Sequence, residues 1–370
     1  MTKVLLIGNT AGSLLTFRKE LILRLKKDGY NVIIYCPSGP MDHCFLEMGC
    51  EFFPVNFSVH GKNLFKEANI IAQLFRLIKK TSPDAVLTYT IKPNIYAGIV
   101  CSFLGVAYIT SVTGLGIAFQ KKNLLRSFLA VAYRIAVKRS RCVFFQNQQS
   151  IEVFKDLKIL KNTPYKLVPG SGVNLEVNRF REYPSEDGGL IFFTPSRIRK
   201  DKGMDEYFFM VHEIYKSYLN CCFVLAGRFE EDNYDEEIKT LSGEGDFHYL
   251  GNLNHDDIPM NLSKAHAVIL PTYHEGMSNS LLEAASTGRV CIASNIPGCR
   301  EAIEDGKSGI LFQPKDKEAC LAAVVKFIEL TQDERRKMGI LARTKMENEF
   351  DRNFVINAYV AEIAKDSRSQ

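Results

Sequence analysis

Short apolar runs alternate with amphipathic stretches along almost the whole chain. "KVLLIG" predicts a first strand, and Leu14–Lys27 repeats its apolar positions at helical spacing. "YNVIIYC" and "CEFFPVNF" predict two further strands, and Leu64–Thr81 a helix. "DAVLTYT" is the next strand, Asn94–Leu104 a helix and "VAYITSVTG" a strand. The basic helix "KKNLLRSFLAVAYRIAVKRSR" and the strand "RCVFFQNQ" follow. Strands alternating with helices at this spacing imply a parallel, doubly wound sheet.

The pattern breaks at "VPGSGVNLEVNRFREYPSEDGG", so a linker is expected at about residues 170–189. It restarts with "LIFFTPS", a helix over Met204–Tyr218, "CCFVLAG" and a helix near Asp235–Leu241. "DFHYLGNL", "AHAVILPT", "RVCIASN" and "GILFQP" supply the later strands, and helices run from Asp316 to the end. The expectation is an α/β chain of two Rossmann-like domains, residues 1–170 and 171–350. A last helix within 351–370 would cross back to pack on the first domain. Two such domains facing each other would hold a ligand in the cleft at the strand C-terminal ends.

Composition agrees with this division. The chain has 370 residues, 46% of them hydrophobic and 24% charged, too many for one ordinary domain and too apolar for disorder. The 10 cysteines include no CxxC or zinc-like spacing, and Cys221 and Cys222 sit in an apolar run. A reduced, cytoplasmic protein is the expectation, because "MTKVLLIGNTAGS" has too few apolar residues for a signal peptide. Residues 93–120 carry no charge and imitate a membrane span. Pro93, Asn94, Gly98, Gly105, Gly114 and Gly116 interrupt them, so a buried helix–strand–loop is expected instead.

Charge is uneven. Residues 1–170 hold 23 Lys/Arg against 9 Asp/Glu, whereas residues 171–370 hold 24 against 33. No acidic residue occurs between Asp84 and Glu152. The basic helix in that window suits an anionic lipid surface or a phosphate-bearing substrate; the plainer reading is a solvated helix. No aromatic-interleaved basic motif points to nucleic acid.

The densest chemistry lies in "PTYHEGMSNSLLEAASTG". A buried strand, 266–271, runs into a loop and then a helix capped at Ser278 or Asn279. Glu275 falls in the loop and Glu283 inside the helix. Between them Gly276, Met277, Ser278 and Asn279 are expected to offer free backbone N–H groups at a positive helix end, which suits a phosphate. The plainer alternative is a surface glutamate on an amphipathic helix. Upstream, "TPSRIRKDKGMD" places Arg197 and Lys202 after a strand, able to converge on a diphosphate and neutralise a departing phosphate. "GNTAGS" is a glycine turn after the first strand. Its spacing departs from GxGxxG, and no acidic residue ends the second strand, which disfavours a dinucleotide. Arg18 lies one turn further, facing an anionic acceptor or simply the surface. No DxD occurs, so neither a metal nor another cofactor is indicated.

"SRIRKDKG", "LAGRFE", "YLGNL", "ILPTYHEGMSNSLLEAASTG" and "IASNIPGCREAIEDGKSGILFQP" together resemble, in order, the second domain of family-4 retaining glycosyltransferases of GT-B fold. "LVPGSGVNLEVNRF" is similar to their interdomain segment. The resemblance implies that Glu275 contacts donor-sugar hydroxyls and Glu283 the ribose diol. Arg197 and Lys202 would hold the diphosphate; Glu275, Arg197 and Lys202 form the expected catalytic set. Backbone of Gly276, Met277, Ser278 and Asn279 would bind phosphate and sugar, Asn252 and Leu253 would line the base, and Gly12 matches an N-terminal glycine loop. Many members carry a histidine where this chain has Thr113. "FRKEL", "KPNIYAG" and "TGLG" are similar to a subgroup elongating polyprenyl-diphosphate-linked sugars in bacterial O-antigen or capsule synthesis.

The implied activity is retaining transfer of a hexose or N-acetylhexosamine from a nucleotide sugar, UDP-linked by preference, to a lipid-linked saccharide. Arg18, Thr113, Lys121, Lys122 and Arg126 would lie on the acceptor side. The enzyme would attach peripherally to the inner face of the cytoplasmic membrane. A nucleotide-sugar 2-epimerase of the same architecture and a dinucleotide-dependent oxidoreductase are the alternatives.

Overall fold

The protein is described from a computed structural model covering residues 2–55, 64–116, 119, 123–218, 220–230 and 234–365. The chain divides into two compact units, Met1–Ser171 with Asn353–Gln370, and Gly172–Arg352.

The first unit is built on seven strands: β1 (Lys3–Ile7), β2 (Asn31–Cys36), β3 (Glu51–Pro54), β4 (Ala85–Tyr89), β5 (Tyr108–Val112), β6 (Cys142–Phe145) and β7 (Tyr165–Leu167). They pair in parallel in the order β3-β2-β1-β4-β5-β6-β7. Helices α1 (Ala11–Lys27), α2 (Asp42–Glu47), α3 (Leu64–Thr81), α4 (Ile91–Leu104), α5 (Leu124–Val137) and α6 (Gln148–Asp156) make the connections. Successive strand residues serve opposite faces. Val4 and Leu6 pack with Leu14, Leu21 and Leu25 of α1, while Leu5 and Ile7 pack with Leu74 and Ile78 of α3. A parallel strand buried on both faces explains the uninterrupted apolar runs.

The second unit has six parallel strands: β8 (Leu190–Pro195), β9 (Cys221–Ala226), β10 (Phe247–Tyr249), β11 (Ala267–Leu270), β12 (Val290–Ser294) and β13 (Gly309–Phe312). Their order is β10-β9-β8-β11-β12-β13. Helices α7 (Met204–Ser217), α8 (Asp235–Glu244), α9 (Ile258–Lys264), α10 (Asn279–Ser286), α11 (Lys317–Glu329) and α12 (Gln332–Lys345) follow in order. Phe192 and Ile292 face Tyr207 and Val211 of α7 and Val324 of α11; Phe193 and Val268 face Leu281 and Leu282 of α10.

Each sheet reverses its winding once, between β1 and β4 in the first unit and between β8 and β11 in the second. In open parallel sheets this reversal opens a crevice at the carboxyl ends of the two strands, where ligands bind.

Several elements differ from the sequence pattern. Helices α2, α6 and α9 and strand β7 were not expected. β7 is a three-residue edge strand with every residue exposed, so it lacks the apolar signature of the others. α6 starts on a side-chain cap, Asn147 Oδ1 accepting from Ser150 N at 2.9 Å. The last helix, expected within 351–370, is α13 (Arg352–Ile363); a π-turn, Met346–Phe350, and then Asp351 separate it from α12. Asp351 pairs with Val173 instead of continuing the helix: Val173 N donates to Phe350 O (2.8 Å) and Arg352 N to Val173 O (3.0 Å). Gly172 permits that approach, since at φ +67° a Cβ would lie 2.4 Å from Arg352 Cα. Val355, Ile356, Tyr359 and Ile363 of α13 enter the core of the first unit beside α1.

The charge-free stretch divides into α4 and β5. Among the described residues no helix is long and apolar enough to cross a membrane. All ten cysteines are free thiols; Cys221 is buried and Cys222 half-buried.

Candidate active site

In the second unit the switch-point loops are those after β8 and β11, and both are locked by backbone contacts. Gly203 closes the Lys200–Lys202 turn in a left-handed conformation (φ +73°); a Cβ there would sit 2.0 Å from the Pro271 carbonyl oxygen. Only glycine lets the turn seat on the β11 loop. Tyr273 N donates to Asp201 O at 2.9 Å. Together these contacts bring Lys202 Nζ to 2.6 Å from Glu275 Oε1, both side chains largely sheltered at 12% and 18% exposure.

Gly298, in the "NIPGC" turn after β12, supports the other side. At φ +87° it lies so close that a Cβ would come 2.9 Å from Glu275 Cβ and from Glu275 O. Its carbonyl accepts from Ser278 N at 3.2 Å. The expectation of a free N–H at Ser278 is therefore corrected, because that donor is used to close the loop. α10 begins at Asn279 with Ser278 as its N-cap and no side-chain capping bond. Met277 and Ser278 are buried. The Asn279 carboxamide Oδ1 is buried with no hydrogen-bond partner.

Glu283 is buried inside α10, and burial pushes its carboxyl up to about 7, with Arg352 pulling the other way. His255 Nε2 lies 3.7 Å from its Oε1. His274, within the Glu275 loop, is exposed; partial burial and Lys315 hold its pKa below the usual histidine range.

Arg197 is held differently from Lys202. Ile198 pairs with Phe229, extending β8 and β9 by a bridge, and Arg197 and Arg199 flank the buried Ile198 on one side of it. Arg197 Nη1, Arg199 Nη1 and Arg228 Nη2 reach Glu230 at 3.0, 3.0 and 2.6 Å. Burial raises the Glu230 carboxyl, but bonds from the three guanidiniums override it and hold it at about 2. Arg197 and Lys202, expected on one anion, thus pair with different carboxylates, and Glu230, Arg228, Gly298 and His255 are residues of these loops that the motifs do not mark. A glycine after Pro297 was the available signal for Gly298. Asn252 and Leu253 follow Gly251, whose carbonyl accepts from Gly227 N at 2.8 Å. Asn252 is exposed, and Leu253 packs against the α10 core.

In the first unit Gly12 sits in the opening turn of α1, where Thr10 Oγ1 caps Ser13 N at 3.1 Å. The surface alternative for Arg18 is overturned. Arg18 is buried, its guanidinium 4.6 Å from the Tyr89 ring centroid and 5.7 Å from that of Tyr359. Its Nη1 donates to Phe17 O (2.7 Å), while Nε is buried without a partner. Thr113, half-buried, directly follows β5. Arg126, in the first turn of α5, lines an open groove of about 550 Å³ with Asn123, Leu124, Ser127 and Leu157. Lys121 and Lys122 lie outside the described residues.

Among the described residues one trio, Cys222, Asp246 and His248, brings three possible ligand atoms within 4.8 Å of one another. It stands where β9 and β10 begin, at the edge of the sheet opposite the switch-point loops.

Two doubly wound parallel sheets, the second presenting a cation and a glutamate at its switch point, define a two-domain glycosyltransferase of GT-B fold. Residues 3–147 match the glycosyl transferase 4-like family and residues 177–345 the family of glycosyl transferases group 1, and the chain belongs to these glycosyltransferases. It is similar to the N,N'-diacetylbacillosaminyl-diphospho-undecaprenol alpha-1,3-N-acetylgalactosaminyltransferase of Campylobacter jejuni, 23% identical over 96% of both chains. It is also similar to the UDP-Gal:alpha-D-GlcNAc-diphosphoundecaprenol alpha-1,3-galactosyltransferase of Escherichia coli, 25% identical over 82% of this chain and 81% of that one. Among solved structures, a glycosyltransferase from Rickettsia africae superposes with TM-score 0.80 at 19% identity, covering 99% of each chain. Anabaena Alr3699/HepE in complex with UDP and glucose superposes with TM-score 0.75 at 15% identity over 98% of this chain and 99% of that one.

Proposed function

We propose that the chain transfers a hexose or N-acetylhexosamine, with retention, from a UDP-linked sugar to a polyprenyl-diphosphate-linked saccharide in bacterial surface-polysaccharide synthesis. The observation that carries the reading is the Lys202–Glu275 pair at the switch point of the second sheet. Likeness over nearly the full length to two relatives named for diphospho-undecaprenol-linked acceptors supports the acceptor class.

In this reading the donor diphosphate takes the place of the Glu275 carboxylate on Lys202, and Glu275 turns to the sugar hydroxyls. The C1–O bond to the diphosphate breaks as the acceptor hydroxyl bonds C1 from the same face. Its proton passes to the departing phosphate oxygen. Lys202 stabilises the charge that grows there, and a fixed cation in a sheltered site does so without solvent reorganisation. Glu283, buried in α10, accepts the ribose hydroxyls. Arg197 joins the diphosphate by leaving Glu230. Gly12 serves the donor, and Arg18, Thr113, Lys121, Lys122 and Arg126 serve the acceptor. No resident metal or cofactor takes part. The basic, acid-free run between Asp84 and Glu152 supports peripheral attachment to the inner face of the cytoplasmic membrane.

The test is a panel of UDP- and GDP-sugars incubated with and without a synthetic polyprenyl-diphosphate sugar. Nucleotide release that requires the acceptor, with a product heavier by one sugar in mass spectrometry, is the expected result. A donor epimerised without acceptor would make the chain a 2-epimerase and overturn the reading.

A further inference from the structure

α5 is apolar on the side that packs and on the side that faces water. Ala130, Tyr133, Ala136 and Val137 are buried in the first unit, whereas Leu124, Phe128, Val131 and Ile135 are 89%, 68%, 50% and 54% exposed. Their spacing of four, three and four residues makes them one stripe along the helix, and Leu125 adds to it at 51% exposure. Monomers in water rarely leave so continuous an apolar strip uncovered. A helix of 14 residues extends it over about 20 Å.

The surroundings of the stripe indicate what covers it. Exposed Lys138 and Arg139 follow the last turn of α5. Arg139 Nη1 donates to Ser102 O at 3.1 Å, which brings the end of α4 alongside, and the next residue, Phe103, is 79% exposed. The whole span from α4 through α5 contains no carboxylate. Cations beside an apolar stripe, without acidic residues to repel lipid phosphates, match a surface that is anionic outside and hydrocarbon beneath.

We infer that α5 is a membrane-insertion element. Leu124, Leu125, Phe128, Val131 and Ile135 sink into the acyl boundary of an anionic bilayer, and Lys138 and Arg139 stay at the phosphates. The inference rests on the transfer reading only for the acceptor's being lipid-anchored. It goes beyond attachment by charge, since inserted apolar side chains hold when salt screens the cations.

The test is flotation of the full chain with phosphatidylethanolamine–phosphatidylglycerol vesicles at low and at molar salt. Wild type floats in both, and Phe128→Glu/Ile135→Glu lowers partitioning by about tenfold or more in both. Lys138→Glu/Arg139→Glu lowers it at low salt alone. Failure of wild type to float overturns the inference, as does flotation of the Phe128→Glu/Ile135→Glu variant equal to wild type. So does sedimentation showing a dimer that this variant dissolves, because the stripe would then join two copies. Transfer to a short-chain, water-soluble diphosphate-linked sugar is measured in parallel, and the Phe128→Glu/Ile135→Glu variant retains wild-type turnover there. No product from wild type in that assay counts against the transfer reading and leaves the vesicle result standing.

Discussion

Lys202 and Glu275, 73 residues apart in sequence, form a 2.6 Å ion pair at the carboxyl ends of neighbouring strands β8 and β11. In the proposed reading a donor separates this pair, so that Lys202 meets the diphosphate and Glu275 the sugar.

Lys202→Ala is expected to lower kcat by about 10²–10³-fold while changing the melting temperature little, since one cation aimed at the leaving group is removed. Lys202→Arg should recover part of that loss. Steady-state kinetics beside a thermal melt checks it, and an unchanged kcat would remove Lys202 from the mechanism.

Gly298→Ala strains two things at once. The new methyl meets Glu275, and a left-handed non-glycine backbone costs about 1–3 kcal/mol. The expected outcome is a lower denaturation midpoint together with weakened donor binding by calorimetry. Gly306, with φ +73° and open space around its Cβ position, is the control: Gly306→Ala should lower stability modestly and leave donor binding alone.

Glu283 makes stability depend on pH. Its folded pKa of about 7 lies above that of an unfolded glutamate, so the native state binds the extra proton. The contribution is complete below the unfolded value and is lost as pH rises through about 7. Urea midpoints should fall across that window, and Glu283→Gln should flatten this part of the profile.

Glu230 runs the other way. Held at about 2 by three guanidiniums, it stabilises the fold above the usual glutamate range, and that stability is lost as pH falls towards 2. Glu230→Gln should lower the melting temperature at neutral pH, more at low salt than at high, because it leaves Arg197, Arg199 and Arg228 without their shared anion.

Arg18→Ala should lose acceptor turnover and stability together, which distinguishes it from Lys202→Ala. Its stem and guanidinium fill space between Tyr89 and Tyr359, and deleting a buried long side chain costs about 2–5 kcal/mol. Chemical denaturation of the variant, with acceptor and donor KM measured separately, checks both effects.

The alternation of apolar runs and helical periods was enough to anticipate every strand but β7 and helices such as Leu64–Thr81, because parallel strands buried on two faces are apolar throughout. Short elements escaped. α2, α9 and β7 bury too little surface for a periodic signal, and the break at Asp351 depends on pairing with Val173, far away in the chain. The switch-point loops were legible as motifs, since glycines, a lysine and two carboxylates cluster at strand ends.

The partners of those residues were not legible. Lys202 and Arg197 are equivalent cations in "SRIRKDKG", and nothing local assigns one to Glu275 and the other to Glu230. That assignment follows from the Gly203–Pro271 contact and the Ile198–Phe229 bridge. Arg18 was equally ambiguous, and burial against Tyr89 and Tyr359 settled its place. For α5, the sequence showed a basic amphipathic helix, and the fold decided which side it hides. Periodicity, turn chemistry and motif spacing are local, so the chain alone determined the elements and the chemistry at their ends. Which side chains share a charge, a proton or an open face depends on contacts between residues distant in sequence, and those exist only once the sheets are assembled.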